Sequence, residues 1–297
     1  MSASAPSSHS SGARPRIAML GGGNMNGAIL TALLDAGFGD DEPIRVTTRT
    51  AASAARFVDE PRVEAVASDE VPDANRDAVR DADAVVLGVK PPGIVPLAEE
   101  VAAALKPGAV VISIAAGVPC AAIEAALPAG SRVVRAMPNT PALIGEGVTG
   151  ICAGSAADED AMALAREIFE CVGSCVEVPE EKIAAVGALS GSGPAYVYLL
   201  AEHLIAAGVE QGLSAADARE LVVGTIRGAA GMLQHQGDVS PAELRRRVTS
   251  PNGTTERSIR AFADARFDET VKAAVQANID RAAELAAESA QPADTEA

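Results

Sequence analysis

From Arg16 to about Val178 the chain alternates short β-branched apolar runs with Ala-rich stretches of helical spacing. The apolar runs are Arg16-Ile-Ala-Met-Leu, Ile44-Arg-Val-Thr-Thr, Val63-Glu-Ala-Val, Ala84–Val89, Ala109–Ile114, Arg132–Met137, Gly147–Cys152 and Cys175–Val178. Strand-helix alternation of this kind predicts a parallel sheet with crossover helices. Ala84–Val89 and Ala109–Ile114 are apolar without alternation, as strands are when helices cover both faces of the sheet. The fold expected for residues 16–179 is therefore α/β, a Rossmann-type doubly wound, mostly parallel sheet domain.

After Pro179 the strand signal stops. Helical spacing continues over 180–189, 194–211, 215–235, 242–248, 255–265 and 268–288, which predicts an all-α domain over 180–288. Pro194 suits a first helical position, and Ser214-x-x-Asp217 and Ser240-Pro-x-Glu243 are capping-box patterns. The stretch Leu221-Val-Val-Gly-Thr-Ile-Arg-Gly-Ala-Ala-Gly-Met places small residues three and four apart. A stripe that small and apolar needs close helical neighbours, and two interdigitating copies supply them better than one. Residues 1–15, rich in Ser, Ala and Pro, and the acidic residues 289–297 are expected to be disordered tails.

Charge narrows the partners. With 24 Lys and Arg against 40 Asp and Glu the net charge is −16, which repels nucleic-acid backbones and anionic membranes. Aromatic residues make up 2% and there is no Trp, so the stacking platforms of single-strand binders are missing as well. No unbroken apolar run reaches the roughly 20 residues that span a bilayer, and the first residues lack a signal-peptide core; a cytoplasmic protein without nucleic-acid or membrane partners is the expectation. Cys120, Cys152, Cys171 and Cys175 form neither a disulfide framework nor a metal-ligand spacing, and are expected to be inert thiols with no metal.

The first strand leads into Gly21-Gly-Gly-Asn24-Met25-Asn26-Gly, with Gly21 and Gly23 at the first two positions of G-x-G-x-x-G. Gly21 permits the tight turn. Gly23 lets the backbone approach a pyrophosphate at the N-terminus of the next helix, where unpaired amides and the helix dipole favour an anion. The third position holds Asn26, which departs from the fingerprint. An NAD site would close the second strand with a carboxylate, whereas this strand ends Thr47-Thr-Arg49-Thr. A cation flanked by hydroxyls suits the 2′-phosphate of NADPH, with NADH less preferred. Val89-Lys90-Pro91, Ala115-Ala116-Gly117 and Ala136-Met-Pro-Asn139-Thr-Pro stand at strand ends, where open α/β sheets bind ligands, and are expected to line the nicotinamide. Lys90 reads equally as an acid or as a residue whose proline-stiffened backbone is what matters.

In the helical part, Leu189-Ser-Gly-Ser-Gly-Pro-Ala-Tyr and Arg247-Val-Thr-Ser-Pro-Asn252-Gly253-Thr254-Thr255 are turns with clustered hydroxyls and free amides at helix starts, either plain caps or cradles for a small carboxylate. The histidines are His9, His203 and His235, none with a catalytic or metal-binding pattern around it. A ketone reductase benefits from a placed proton donor; a cationic C=N bond needs none, because hydride addition neutralises it.

Taken together, these segments resemble the pyrroline-5-carboxylate reductases, from Ile17 to about Leu285. The resemblance rests on Gly21-Gly-Gly-Asn-Met, Asp83-Ala-Val-Val-Leu-Gly-Val-Lys-Pro, Ser113-Ile-Ala-Ala-Gly-Val, Arg135-Ala-Met-Pro-Asn-Thr-Pro, Leu189-Ser-Gly-Ser-Gly-Pro-Ala-Tyr-Val and Val248-Thr-Ser-Pro-Asn-Gly-Thr-Thr. It implies NAD(P)H-dependent reduction of 1-pyrroline-5-carboxylate to L-proline, and a helical domain that interlocks as a homodimer, with dimers often joined into rings such as decamers. It further implies that Thr255 bonds the ring nitrogen and that backbone amides of Asn252, Gly253 and Thr254 hold the carboxylate. Asn75 takes the place of an Asn that contacts the adenosine ribose, and Asp238 matches an acidic position only loosely. The second glycine of the family's S-P-G-G-x-T turn is Asn252 here.

Two other functions compete. The 3-hydroxyacid dehydrogenases share the domain plan, but they carry a Lys in the first long helix after the interdomain region, and residues 193–211 contain none. A non-catalytic NADP-binding sensor would leave the two glycine-serine turns without a use.

Overall fold

The computed structural model describes residues 14–289. All eight apolar runs become strands: β1 (Ile17–Leu20), β2 (Ile44–Thr48), β3 (Val63–Ala67), β4 (Ala84–Leu87), β5 (Val110–Ser113), β6 (Arg132–Met137), β7 (Gly147–Ala153) and β8 (Gly173–Glu177). They form one sheet in the order β3-β2-β1-β4-β5-β6-β7-β8. Neighbours are parallel except β6 and β7, which pair antiparallel with Arg135 opposite Cys152. Pairing of Ala18 with Arg45 on one side and with Val85 on the other fixes β1 at the centre, where the strand order reverses.

The absence of alternation in the central strands has the expected cause. Ile17 and Met19 pack with Ile29, Leu33, Val86, Ile112 and Phe169 on one face. Ala18 and Leu20 pack with Val85, Leu87, Ile94, Val111 and Ile123 on the other. Both faces are thus covered and every residue of β1, β4 and β5 is buried. The first face carries α1 (Asn24–Asp35), which buries Ile29, Leu30, Leu33 and Leu34. A short α2 (Ala51–Ala54) is capped by Thr50, and α3 (Ala74–Val79), α4 (Ile94–Val101), α5 (Cys120–Ala125) and α6 (Glu159–Glu170) complete the layers. Asp158 caps α6 by accepting from the Ala161 amide at 2.9 Å.

Beyond the sheet come α7 (Ile183–Val186), a π-helical turn (Gly187–Gly191), α8 (Gly193–Glu210), α9 (Ala215–His235), α10 (Pro241–Arg247), α11 (Thr254–Asp264) and α12 (Phe267–Ser289). The capping boxes form: Ser214 Oγ accepts from the Asp217 amide at 3.1 Å and Ser240 Oγ from the Glu243 amide at 3.2 Å. By contacts the chain divides into two units, one reaching Gly191 and including residues from Ile279 on, the other Ser192–Asn278. The divide falls after Gly191 instead of at 179 because residues 180–191 pack on the sheet unit. Ile183 is buried there, and the Val186 side chain fills the space that a Cβ on Gly150 of β7 would need. At the far end, Leu285 of α12 lies against Gly117.

The second unit buries little within one chain. Helix α8 has no buried residue and α9 only Ala218. Tyr198, Leu199, Leu221 and Met232 stay exposed, and Gly224, Gly228 and Gly231 of α9 face open space. Helices gain stability mainly by packing an apolar face, so these helices require a second layer from another copy.

Two sequence readings change. The helical run Glu180–Glu210 is, among the described residues, long and apolar enough by length and composition to cross a membrane, with little of it buried in the chain. In the sequence a Gly-Ser turn interrupts the run, whereas the backbone stays helical through it. Most of the two expected tails, residues 1–13 and 290–297, lies outside the described residues. Of the remainder, Arg14 sets its guanidinium 4.8 Å over the Phe38 ring, and α12 runs to Ser289.

Candidate active site

A cleft of about 870 Å³ opens at the carboxyl ends of β1, β2, β4 and β5, at the point of strand-order reversal. Ligands bind there in open α/β sheets because the loops diverge to opposite faces. Eleven of the residues expected to hold the cofactor meet in this cleft. Gly21, Gly23, Asn24 and Met25 supply its floor, Arg49 and Asn75 one end, and Val89, Lys90, Pro91, Ala115 and Ala116 the wall.

The floor is built for an anion. Gly21 has φ +98, a conformation that favours glycine, and a Cβ on it would crowd the Gly88 carbonyl. Gly23 caps α1 in extended conformation without any side-chain cap bond, and the first turn of α1 holds no acidic residue. The leading amides of this twelve-residue helix therefore face the cleft with their positive dipole end uncompensated.

At the β2 end, Thr48 Oγ1 donates to the Thr50 carbonyl at 3.0 Å, and Thr50 Oγ1 lies 3.1 Å from Ser53 Oγ. These bonds shape the turn that carries Arg49 into solvent at the cleft's edge. Among the described residues none forms a hydrogen bond or ion pair with the Arg49 guanidinium, so its charge is free for a phosphate. Thr47, Thr48, Thr50, Ser53 and Ser68 also line this end, a run of hydroxyls of which only the strand-end threonines stood out in the sequence. Asn75 gives its Nδ2 to both Glu100 oxygens, at 3.0 and 3.2 Å. Its Oδ1 is left as an acceptor suited to a ribose hydroxyl.

Asn139 is not brought to the cleft. It is buried, donates through Nδ2 to the Ser190 carbonyl at 3.0 Å and accepts from the Val148 amide at 2.8 Å, which uses both ends of its side chain inside the protein. The Leu189–Gly193 turn is likewise engaged: Ser190 Oγ donates to the Val186 carbonyl at 3.0 Å, and Ser192 Oγ accepts from Asn278 Nδ2 at 2.8 Å in the helical unit.

In the helical unit the turn between α10 and α11 leads into a helix capped by Gly253 with no side-chain bond. Asn252 takes φ +61, which explains why a glycine suits that position and why Asn is an acceptable substitute. Its amide is already taken by Glu256 Oε2 at 2.7 Å, and the Gly253 amide by the Ser250 carbonyl at 3.0 Å. The first-turn amides from Thr254 on have no acceptor within the helix, and Thr255 is half-buried beside them. The turn thus offers free first-turn amides and, at Thr255, a hydroxyl.

One grouping of His, Cys, Asp or Glu among the described residues could hold a metal: Cys120, Cys152 and Glu180, with ligand atoms within 4.8 Å of one another. Its carboxylate is already occupied, accepting from the Cys120 amide at 2.7 Å and from Arg135 at 3.2 Å. The neighbouring thiols of Cys120 and Cys152 act on each other's ionisation, holding the pKa of Cys152 down and pushing that of Cys120 up. Burial pushes Cys171 and Cys175 up to about 11. All four sulfurs are free thiols.

A mostly parallel sheet with a ligand cleft at its switch point, an uncapped glycine turn and an Arg unpaired among the described residues define an NAD(P)-dependent oxidoreductase. Residues 16–117 match the family described as NADP oxidoreductase, coenzyme F420-dependent, and residues 180–285 match pyrroline-5-carboxylate reductase dimerisation. Over 273 residues the chain is 42% identical to the pyrroline-5-carboxylate reductase of Pseudomonas aeruginosa, covering 92% of this chain and 97% of that one. A pyrroline-5-carboxylate reductase structure from Coxiella burnetii superposes with TM-score 0.84 at 38% identity, covering 91% and 98% of the two chains. The Plasmodium falciparum enzyme, solved with NADP bound, gives 0.78 at 26% identity and covers 92% and 98%. The chain belongs to the pyrroline-5-carboxylate reductase family.

Proposed function

We propose that the chain reduces the C=N bond of 1-pyrroline-5-carboxylate to L-proline, the final step of proline biosynthesis, as a cytoplasmic homodimer that prefers NADPH to NADH. The observation that carries the reading is the turn Val248–Thr255, where an uncapped helix start and a half-buried hydroxyl meet in a chain that also builds a dinucleotide cleft. NADPH, when bound, supplies a hydride to the imine carbon. The α1 amides hold its pyrophosphate, Arg49 its 2′-phosphate and Asn75 a ribose hydroxyl, while Val89, Lys90, Pro91, Ala115 and Ala116 line the path to the nicotinamide. The Thr255 hydroxyl bonds the ring nitrogen, and the turn amides hold the carboxylate: that of Thr254 directly, those of Asn252 and Gly253 once released from Glu256 and Ser250. The cationic C=N bond becomes a neutral amine on hydride addition, so no acid of the chain is required to drive the step. The exposed faces of α8 and α9 are covered by the second copy, which also accounts for an apolar run as long as Glu180–Glu210 without a membrane.

The test is the rate of reduced-nicotinamide oxidation on adding 1-pyrroline-5-carboxylate, with NADPH and NADH compared at saturating imine and the mass of the particle measured in solution. Fast turnover favouring NADPH by a dimer or a ring of dimers is expected. A folded protein that binds NADPH and turns over neither cofactor would overturn the substrate reading.

A further inference from the structure

We propose that Asn26 and Gly88 act as a matched pair that sets the pyrophosphate-binding turn, which makes Asn26 a positioning residue for NADPH; the proposal rests on the reading of this cleft as the NADPH site. Asn26 occupies the third fingerprint position, where a small residue ordinarily lets the helix approach the strand. It is instead a buried polar side chain, 2% exposed, in the first turn of α1.

Its contacts show how it fits. Nδ2 donates to the Gly21 carbonyl at 2.6 Å and reaches the Leu20 carbonyl at 3.5 Å. Two carbonyls on one side fix which end of the amide is nitrogen, since only the NH₂ group can donate to them. Oδ1 is then buried without a partner, one of three such side-chain atoms among the described residues. A buried acceptor left unmade is unfavourable, so something else must hold the side chain in this pose.

Gly88 supplies it. A Cβ on Gly88 would fall within 3.0 Å of Nδ2, Cγ and Oδ1 of Asn26, at nearly equal distances from all three, so the amide lies broadside against the Gly88 Cα. Gly88 has no positive φ, and its amide donates to the Leu20 carbonyl at 2.8 Å as an ordinary continuation of β4 pairing. It is glycine for space, and the space is taken by Asn26. The missing side chain has moved from the helix to the strand opposite it. In exchange the chain gains a bond on the Gly21 carbonyl. That bond draws an acceptor toward the helix and away from the phosphates, while Gly21 holds φ +98.

Three variants test the pair in the full-length protein, reading NADPH binding by nicotinamide fluorescence alongside KM for the imine. Asn26→Asp keeps the shape and loses the donor, and is expected to weaken NADPH binding at least fivefold while KM for the imine changes less than twofold. Gly88→Ala is expected to weaken it more than tenfold, and adding Asn26→Gly to it is expected to restore binding to within threefold of Asn26→Gly alone. Should Gly88→Ala fail to fold by circular dichroism, recovery of the folded protein in the double variant reads the same coupling. Wild-type affinity in Asn26→Asp, or a double variant no better than Gly88→Ala, overturns the pair. Wild-type protein that does not bind NADPH overturns the cofactor reading beneath it, and the pair with it.

Discussion

The Asn139 side chain donates to the Ser190 carbonyl at 3.0 Å, tying the loop after β6 to the π-helical turn that ends the sheet unit. With the Val148 amide held at its other end, Asn139 is a brace between segments far apart in sequence. Asn139→Ala removes both bonds from a buried position, and the loss expected is about 1–3 kcal/mol of stability, the cost of leaving buried groups unpaired. Denaturant unfolding measures it. An unchanged midpoint together with weakened NADPH binding would return Asn139 to the cofactor.

Arg49 is the residue proposed to carry a preference for NADPH. Its guanidinium has no partner among the described residues, so Arg49→Ala is expected to reduce discrimination against NADH by about 1–3 kcal/mol without disturbing neighbours. Comparing kcat/KM for the two cofactors decides this. If the ratio stays as in the wild type, the 2′-phosphate is held elsewhere.

Thr255 is expected to act on the imine alone. Thr255→Ala should lower kcat/KM for 1-pyrroline-5-carboxylate roughly tenfold to a hundredfold, as for loss of a hydrogen bond to a charged group worth ~1.5–3 kcal/mol. The NADPH dissociation constant should hold. A variant that loses NADPH affinity instead would place this hydroxyl on the cofactor.

Acid sensitivity is expected from Asp83. Burial alone would raise its pKa, but the bond from Lys106, the Arg16 amide at 2.8 Å and the charges of both residues hold it below the ordinary value. A carboxylate lowered in the folded state adds stability that is present above the unfolded-state pKa, about 3.9, and is lost as pH falls below it. Asp83→Asn should therefore flatten the fall in unfolding free energy as pH drops below about 4. An identical pH profile for the two proteins would show that Asp83 is not a source of the loss.

All eight strands and the six main helical stretches were legible in the sequence, the central strands because burial on two faces writes continuous apolar runs and the helices because their apolar residues recur at helical spacing. The glycine turn, Arg49 and the Val89–Pro91 and Ala115–Ala116 segments were legible as well, since each follows directly on a strand that aims it at the cleft. Asn139 sat at an equivalent strand end and went elsewhere, because its partners Val148 and Ser190 are joined to it only by folding. The engagement of the Asn252 amide by Glu256 was hidden for a related reason: a capping carboxylate and a substrate carboxylate ask for the same backbone donors.

The sequence by itself thus determined the layers, the order of strands and helices and the kind of ligand, all of which depend on neighbours a few residues away. Tertiary structure alone decided that the sheet unit extends to Gly191 and takes back the end of α12, and that Asn26 is accommodated by an empty Cβ position on another strand. Close packing is a relation between residues distant in the chain, and a single sequence carries no trace of which two share a space.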